Sequence, residues 1–80
     1  MRVTVRLFAS LRKRLPRGSP RGSCELDVAG GATIADVLAT LDIPAASAKM
    51  ILVNGHHGED LSYRLSPGDV LSVFPPLAGG

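Results

Sequence analysis

The sequence predicts an α+β domain in which a single helix lies across a mixed sheet. Three observations carry that expectation: two-residue alternation at both ends of the chain, one capped apolar stripe at helical spacing near the middle, and an Asn-Gly pair suited to a tight hairpin. Eighty residues amount to one small domain with no second lobe to form a cleft, which disfavours a self-contained enzyme. A core of this size supplies about 3–5 kcal/mol of net stability, so a second chain is expected to complete any deep pocket. Only Phe8, Phe74 and Tyr63 are aromatic, and packing therefore rests on aliphatic side chains.

Residues 2–7 place Val3, Val5 and Leu7 on one side and Arg2, Thr4 and Arg6 on the other, the pattern of a half-buried strand. Phe8 then falls on the polar side. Two prolines, two glycines and five cations between Ser10 and Ser23 predict a long connection, with one helical turn around Leu11 and Leu15. Cys24, Leu26 and Val28 alternate with Glu25 and Asp27, a second strand whose carboxylates are expected to face Arg2 and Arg6 across a hairpin. Gly30-Gly31 ends it. Thr33 with Asp36 three residues later makes a capping-box pattern, and Ile34, Val37, Leu38 and Leu41 fall on one helical stripe that Pro44 is expected to stop. Met50–Val53 is a third strand leading into Asn54-Gly55. Residues 60–65 are expected to form a short helical turn, and Ser66–Asp69 a tight turn into a last strand, Val70–Phe74.

This order is that of a β-grasp, ubiquitin-like arrangement, in which the first and last strands run parallel at the centre of the sheet. Phe8 and Phe74 would then meet on the face turned away from the helix, where burial within the chain is least available; apolar groups there mark a partner site. The expected organisation is a domain over residues 1–74 and an extended tail over residues 75–80. Pro75-Pro76 favours an extended exit, and Gly79 and Gly80 have no side chain to obstruct a narrow tunnel. Adenylation of the Gly80 carboxylate would convert its oxygen into a good leaving group for attack by a sulfur or amine nucleophile. On this reading an otherwise inert chain takes part in covalent chemistry through its own main-chain carboxyl.

Charge and composition exclude several other classes. The first 24 residues hold seven Lys/Arg and no acid, and the remainder hold two bases and seven acids. Arg12, Lys13, Arg14, Arg17 and Arg21 cluster, but no aromatic lies among them to stack bases, so a solvated loop meeting the acidic half of the same molecule is preferred to a nucleic-acid footprint. A single cysteine, Cys24, excludes an internal disulfide framework, a CxxC pair and a multi-cysteine zinc site; it is read as a small core residue. His56-His57 with Glu59 is read as a surface turn rather than a metal site, because adjacent histidines in a hairpin diverge. No phosphate-binding glycine motif is present, so ATP is expected to bind a partner. The first ten residues lack the apolar core of a signal peptide and no apolar run approaches membrane-spanning length, so a cytoplasmic, membrane-free protein is expected.

The segments VRLFASLRKRL, TIADVLATL, ILVNG, LSPGDVLSVFPP and the final GG together resemble the MoaD/ThiS family of ubiquitin-like sulfur carriers, and among them the small subunits of molybdopterin synthase. The resemblance spans nearly the whole chain. It implies that an E1-like enzyme adenylates Gly80 with Mg-ATP and that a sulfurtransferase or cysteine desulfurase supplies sulfur to form a C-terminal thiocarboxylate. The tail, Leu77, Ala78 and Gly79 included, would then thread into a large subunit that uses this sulfur to build the molybdenum cofactor. The chain would be a non-catalytic subunit without metal or cofactor of its own. Family interfaces map here onto Phe8, Phe74, Pro75 and the tail, with Leu61 a further member. The Arg/Pro/Gly loop at residues 12–23 departs from the family pattern. A carrier for thiazole, cysteine or tRNA thiolation, a protein modifier joined to lysines through Gly80, and a noncovalent interaction module are the other readings; the FPPLAGG ending argues against the last.

Overall fold

The computed structural model describes residues 1–58 and 60–76. Strands β1 (Arg2–Leu7), β2 (Ser23–Asp27), β3 (Met50–Val53), β4 (His56–His57) and β5 (Val70–Phe74) form one sheet in the order β2-β1-β5-β3-β4. Helix α1 (Ile34–Thr40) is the one α-helix among the described residues, and short 3₁₀ segments cover Ala9–Arg14, Pro20–Gly22 and Ala45–Ser47. β1 and β5 are central and parallel, from Thr4 opposite Val70 to Leu7 opposite Val73, while β2, β3 and β4 join antiparallel. The expected α+β, β-grasp arrangement is therefore the observed one.

Alternation explains the core. Val3, Val5 and Leu7 from β1 and Leu71 and Val73 from β5 point to one face, where Ile34, Val37, Leu38 and Leu41 of α1 cover them, and all are buried. Each start group of α1 has a partner. The amides of Ile34 and Ala35 donate to the carbonyls of Tyr63 and Leu61, at 3.1 and 2.9 Å, and the Asp36 amide donates to Thr33 Oγ1 at 3.1 Å. The Thr33 amide in turn donates to the Asp36 carboxylate at 2.9 Å, completing the capping box.

The other end of α1 departs from expectation. The helix stops before Pro44 because Asp42 turns into the left-handed region, φ 59°, and closes a Schellman motif: the Ile43 amide donates to Leu38 O at 2.8 Å and the Asp42 amide to Ala39 O at 3.1 Å. Ile43 and Leu38 are both buried, supplying the apolar contact that accompanies such a cap.

Two further expectations are corrected. Residues 60–65 form a turn and a bridge rather than a helical turn: the Tyr63 amide donates to Asp60 O at 3.0 Å, and Arg64 bridges to Thr33. Asp60 Oδ1 accepts from the amide and hydroxyl of Ser62, at 2.9 and 2.6 Å, so the local side chain competes with helical bonding. The β1–β2 register satisfies only one of the two expected charge pairs. Arg2 lies opposite Asp27 and binds it at 3.1 Å, but Arg6 lies opposite Ser23 and Glu25 opposite Thr4.

Turn chemistry follows the sequence elsewhere. Asn54 and Gly55 both have positive φ, 52° and 84°, as a tight β3–β4 hairpin requires. Asn54 also ties two turns together: its Nδ2 donates to Asp69 Oδ1 at 2.9 Å and its Oδ1 accepts from the Val70 amide at 2.8 Å. Asp69 Oδ2 accepts from the Ser66 amide at 2.8 Å, which satisfies a carboxylate that is only 8% exposed.

Candidate functional site: the helix-free sheet face

The parallel β1–β5 pair brings the two strand ends together on the face that α1 does not cover. There Phe8 and Phe74 stack with ring centroids 4.1 Å apart and planes 8° from parallel, and the Arg6 guanidinium lies over the Phe8 ring, 5.5 Å from its centroid. Both rings are half-buried, as is Pro75. The end of β5 is held in place where the Lys49 amide donates to Phe74 O at 2.9 Å. The chain leaves the sheet at this aromatic pair.

The β3–β5 register adds side chains that alternation within single strands does not reveal. Met50 lies directly opposite Phe74 and Leu52 opposite Ser72, so both join the aromatic face; Met50 is one of two large apolar side chains left exposed among the described residues. The signal for Met50 is its pairing partner rather than its own neighbourhood in sequence. Leu61 stands apart from the stack. It packs on the edge of the core, its carbonyl accepts from the Ala35 amide of α1 at 2.9 Å, and it lines an open groove of about 570 Å³ with Met50, Lys49 and His57. Leu77, Ala78, Gly79 and Gly80 lie outside the described residues.

The remaining candidates are placed plainly. His56 and His57 sit on β4, opposite Val53 and Leu52, and both are exposed; Glu59 lies outside the described residues. Among the described residues no three metal-ligating side chains cluster. Cys24 lies opposite Val5 on the helix side of β2 and is half-buried, and burial pushes its thiol above the usual range, which keeps it protonated near neutral pH. No helix among the described residues is long and apolar enough to cross a membrane.

The basic cluster does not meet the acidic half of the molecule as expected. Among the described residues the one ion pair is Arg2–Asp27, and Arg12, Lys13, Arg14, Arg17 and Arg21 are exposed. Their loop is nonetheless folded. Leu11 is buried, its amide donates to Phe8 O at 3.1 Å, and a methyl group at Gly22 would stand 2.9 Å from both Leu7 O and Arg12 Nε.

Comparison with known proteins agrees with this architecture. SAMP1 from Haloferax volcanii has 30% sequence identity and a TM-score of 0.73, with 100% of each chain covered. The H. volcanii HVO 2177 protein has 30% identity and a TM-score of 0.76, covering 100% of this chain and 87% of that one. Molybdopterin-converting factor from Helicobacter pylori 26695, solved as a complex of its subunits 1 and 2, shares the fold at 24% identity and a TM-score of 0.62, with both chains fully covered. No curated protein matches the sequence. The family model for Mut7-C ubiquitin matches residues 1–78, and with a ubiquitin-like β-grasp fold over that span the chain belongs to the Mut7-C ubiquitin family.

Proposed function

We propose that this chain is a ubiquitin-like sulfur carrier whose Gly80 carboxyl is adenylated, converted to a thiocarboxylate and used as a sulfur donor in molybdopterin biosynthesis. The observation that carries the reading is the stacked Phe8–Phe74 pair on the helix-free face, at the point where β5 hands the chain to Pro75 and the residues 76–80. An apolar anchor at the root of a tail lets a partner grip the domain while the tail reaches away from it. Phe8, Phe74 and Pro75 form that anchor, Leu61 would offer a separate contact from the open groove beside it, and Leu77, Ala78 and Gly79 thread toward the reacting carbonyl.

Chemistry at the terminus needs no side chain of this domain. The Gly80 carboxylate attacks the α-phosphorus of Mg-ATP held by an E1-like enzyme, releasing pyrophosphate. A persulfide carried by a sulfurtransferase or cysteine desulfurase then displaces AMP to give an acyl disulfide, and attack of a second thiol on its outer sulfur releases the Gly80 thiocarboxylate and leaves a disulfide on that partner. The likeness to molybdopterin-converting factor, solved with its two subunits together, supports a large-subunit acceptor for the sulfur. The chemistry is that of a reducing cytoplasm, where the single thiol of Cys24 needs no partner.

A second reading has its own support. SAMP1 is named a small archaeal modifier protein, and its 30% identity over the full length of both chains favours conjugation of Gly80 to lysines of other proteins. Intact-mass measurement of the chain coexpressed with its E1-like enzyme and a sulfur source separates the two. A carrier gains the mass difference between sulfur and oxygen, and a modifier appears attached to larger proteins. A chain of unchanged mass under both conditions would overturn the proposal. Deleting Gly80 is expected to abolish the modification and leave thermal unfolding unchanged.

A further inference from the structure

Strand β2 ends the sheet on one side, and no strand lies against its outer edge among the described residues. Two observations say which of its backbone groups face inward. Met1 and Val28 exchange both backbone bonds, at 2.7 and 2.8 Å, so alternation turns the amides and carbonyls of Cys24 and Leu26 toward β1. On β1 the Thr4 amide donates to Asp69 O at 2.9 Å, on the β5 side, which leaves the groups of Val3 and Val5 to β2. The amides and carbonyls of Ser23, Glu25 and Asp27 therefore point outward, and none takes part in a backbone bond among the described residues. Such a row is a template for another strand.

Charge identifies that strand. Arg17 and Arg21 stand just before β2 and Glu25 and Asp27 upon it, all four exposed, and the one ion pair among the described residues is Arg2–Asp27. The edge thus runs from basic to acidic, and an antiparallel copy of itself presents the complementary order. Ladder geometry admits only registers that pair outward residues with outward residues. Centred on Glu25, the two copies would set one Glu25 carboxylate against the other; centred on Leu26, Glu25 would face Asp27. Centred on Ser23, the ladder would run into Arg21, whose φ of 53° is not extended backbone. Centred on Cys24, Ser23 of each copy exchanges both backbone bonds with Glu25 of the other, no like charges oppose, and Arg21 comes beside Asp27 of the second copy.

We propose that this chain forms a two-fold dimer in which the β2 strands of two copies pair antiparallel about Cys24, joining two five-stranded sheets into one. The two-fold axis stands perpendicular to the sheet, so both helix-free faces lie on the same side. Both Phe8–Phe74 stacks and both exits of the chain at Pro75 stay open, because they belong to β1 and β5 and not to the paired edge. The dimer is independent of the carrier reading and holds whether Gly80 carries sulfur or joins lysines.

Sedimentation equilibrium of the full chain under reducing conditions is expected to approach twice 8.3 kDa as concentration rises, with a dissociation constant of about 1 mM or tighter. Glu25→Pro removes an outward amide without touching the bonds to β1, and should weaken association at least about tenfold with thermal unfolding still cooperative. Glu25→Arg, which keeps the amide and sets a cation near Arg21 of the second copy, should weaken it too and covers the case in which the proline variant does not fold. Register is read separately. The Cys24 pair is of the closer, non-hydrogen-bonded kind, about 4.5 Å between Cα atoms and within the roughly 4.4–6.8 Å that a disulfide spans. Diamide, which takes up the two protons and two electrons of a thiol pair, should therefore link the wild-type dimer and leave Cys24→Ser unlinked. A chain that stays monomeric at the highest concentration would overturn the proposal, as would a dimer that diamide does not link. So would a dimer lost in Phe74→Ala and kept in both Glu25 variants, which would assign the contact to the aromatic face.

Discussion

Phe8 and Phe74, near opposite ends of the chain, stack at 4.1 Å only because β1 and β5 run parallel at the centre of the sheet. In an antiparallel pairing of the same strands, their two C-terminal ends would lie at opposite edges. The contact thus reports the topology directly, and it lies where β5 gives way to Pro75.

Alanine at Phe8 or Phe74 is expected to lose the stacking term, about 0.5–1.5 kcal/mol beyond area burial, and a double-mutant cycle by urea unfolding should return a coupling of that size. Phe74→Ala should also weaken partner binding by about 2 kcal/mol or more, as a central aromatic anchor does. Titration showing unchanged affinity would remove Phe74 from the interface.

Asp69→Ala should destabilise the fold by about 1.5–3 kcal/mol, because it leaves the Ser66 amide and Asn54 Nδ2 without their acceptor in a half-buried setting. In a domain of this size that corresponds to a fall in melting temperature of roughly 4–8 °C per kcal/mol. Asn54→Ala, which loses the bonds to Asp69 and Val70, should be strongly non-additive with it.

Thr33→Ala should cost about 1 kcal/mol through loss of the helix cap, a large effect for a seven-residue helix. Thr33→Ser, which keeps the hydroxyl, should recover most of the loss in thermal melts.

The Arg2 hydrogen bond, and then its charge, hold the Asp27 carboxyl below the ordinary carboxylate range. A lowered folded-state pKa contributes stability that is present above the unfolded value and disappears as pH falls through the folded one. Acid titration of stability should therefore show a small extra loss below the ordinary carboxylate range, absent in Asp27→Asn and in high salt. Both side chains are exposed, which keeps the effect small.

Much of the fold was legible in the residues themselves. Val3-Val5-Leu7, the Thr33–Asp36 capping box and Asn54-Gly55 each act within a few residues, so their spacing alone names strand, helix start and turn. The β-grasp order then brought Phe8 and Phe74 together in expectation. The candidate terminus, Gly79-Gly80, was legible as chemistry but lies outside the described residues.

Other features depended on groups far apart in the chain. Pro44 looked like the helix stop, yet Asp42 ends α1 because Ile43 can bury against Leu38 once the sheet is in place. Residues 60–65 gave their carbonyls to the start of α1 instead of to a helix of their own. Glu25 fell opposite Thr4, and the basic loop found no acid to meet among the described residues. Met50 joined the aromatic face through a register set by β3 and β5 together. Local periodicity is a property of backbone geometry and can be read along one segment; register, facing and charge pairing are chosen by the packing of all segments at once, and those only the folded molecule decided.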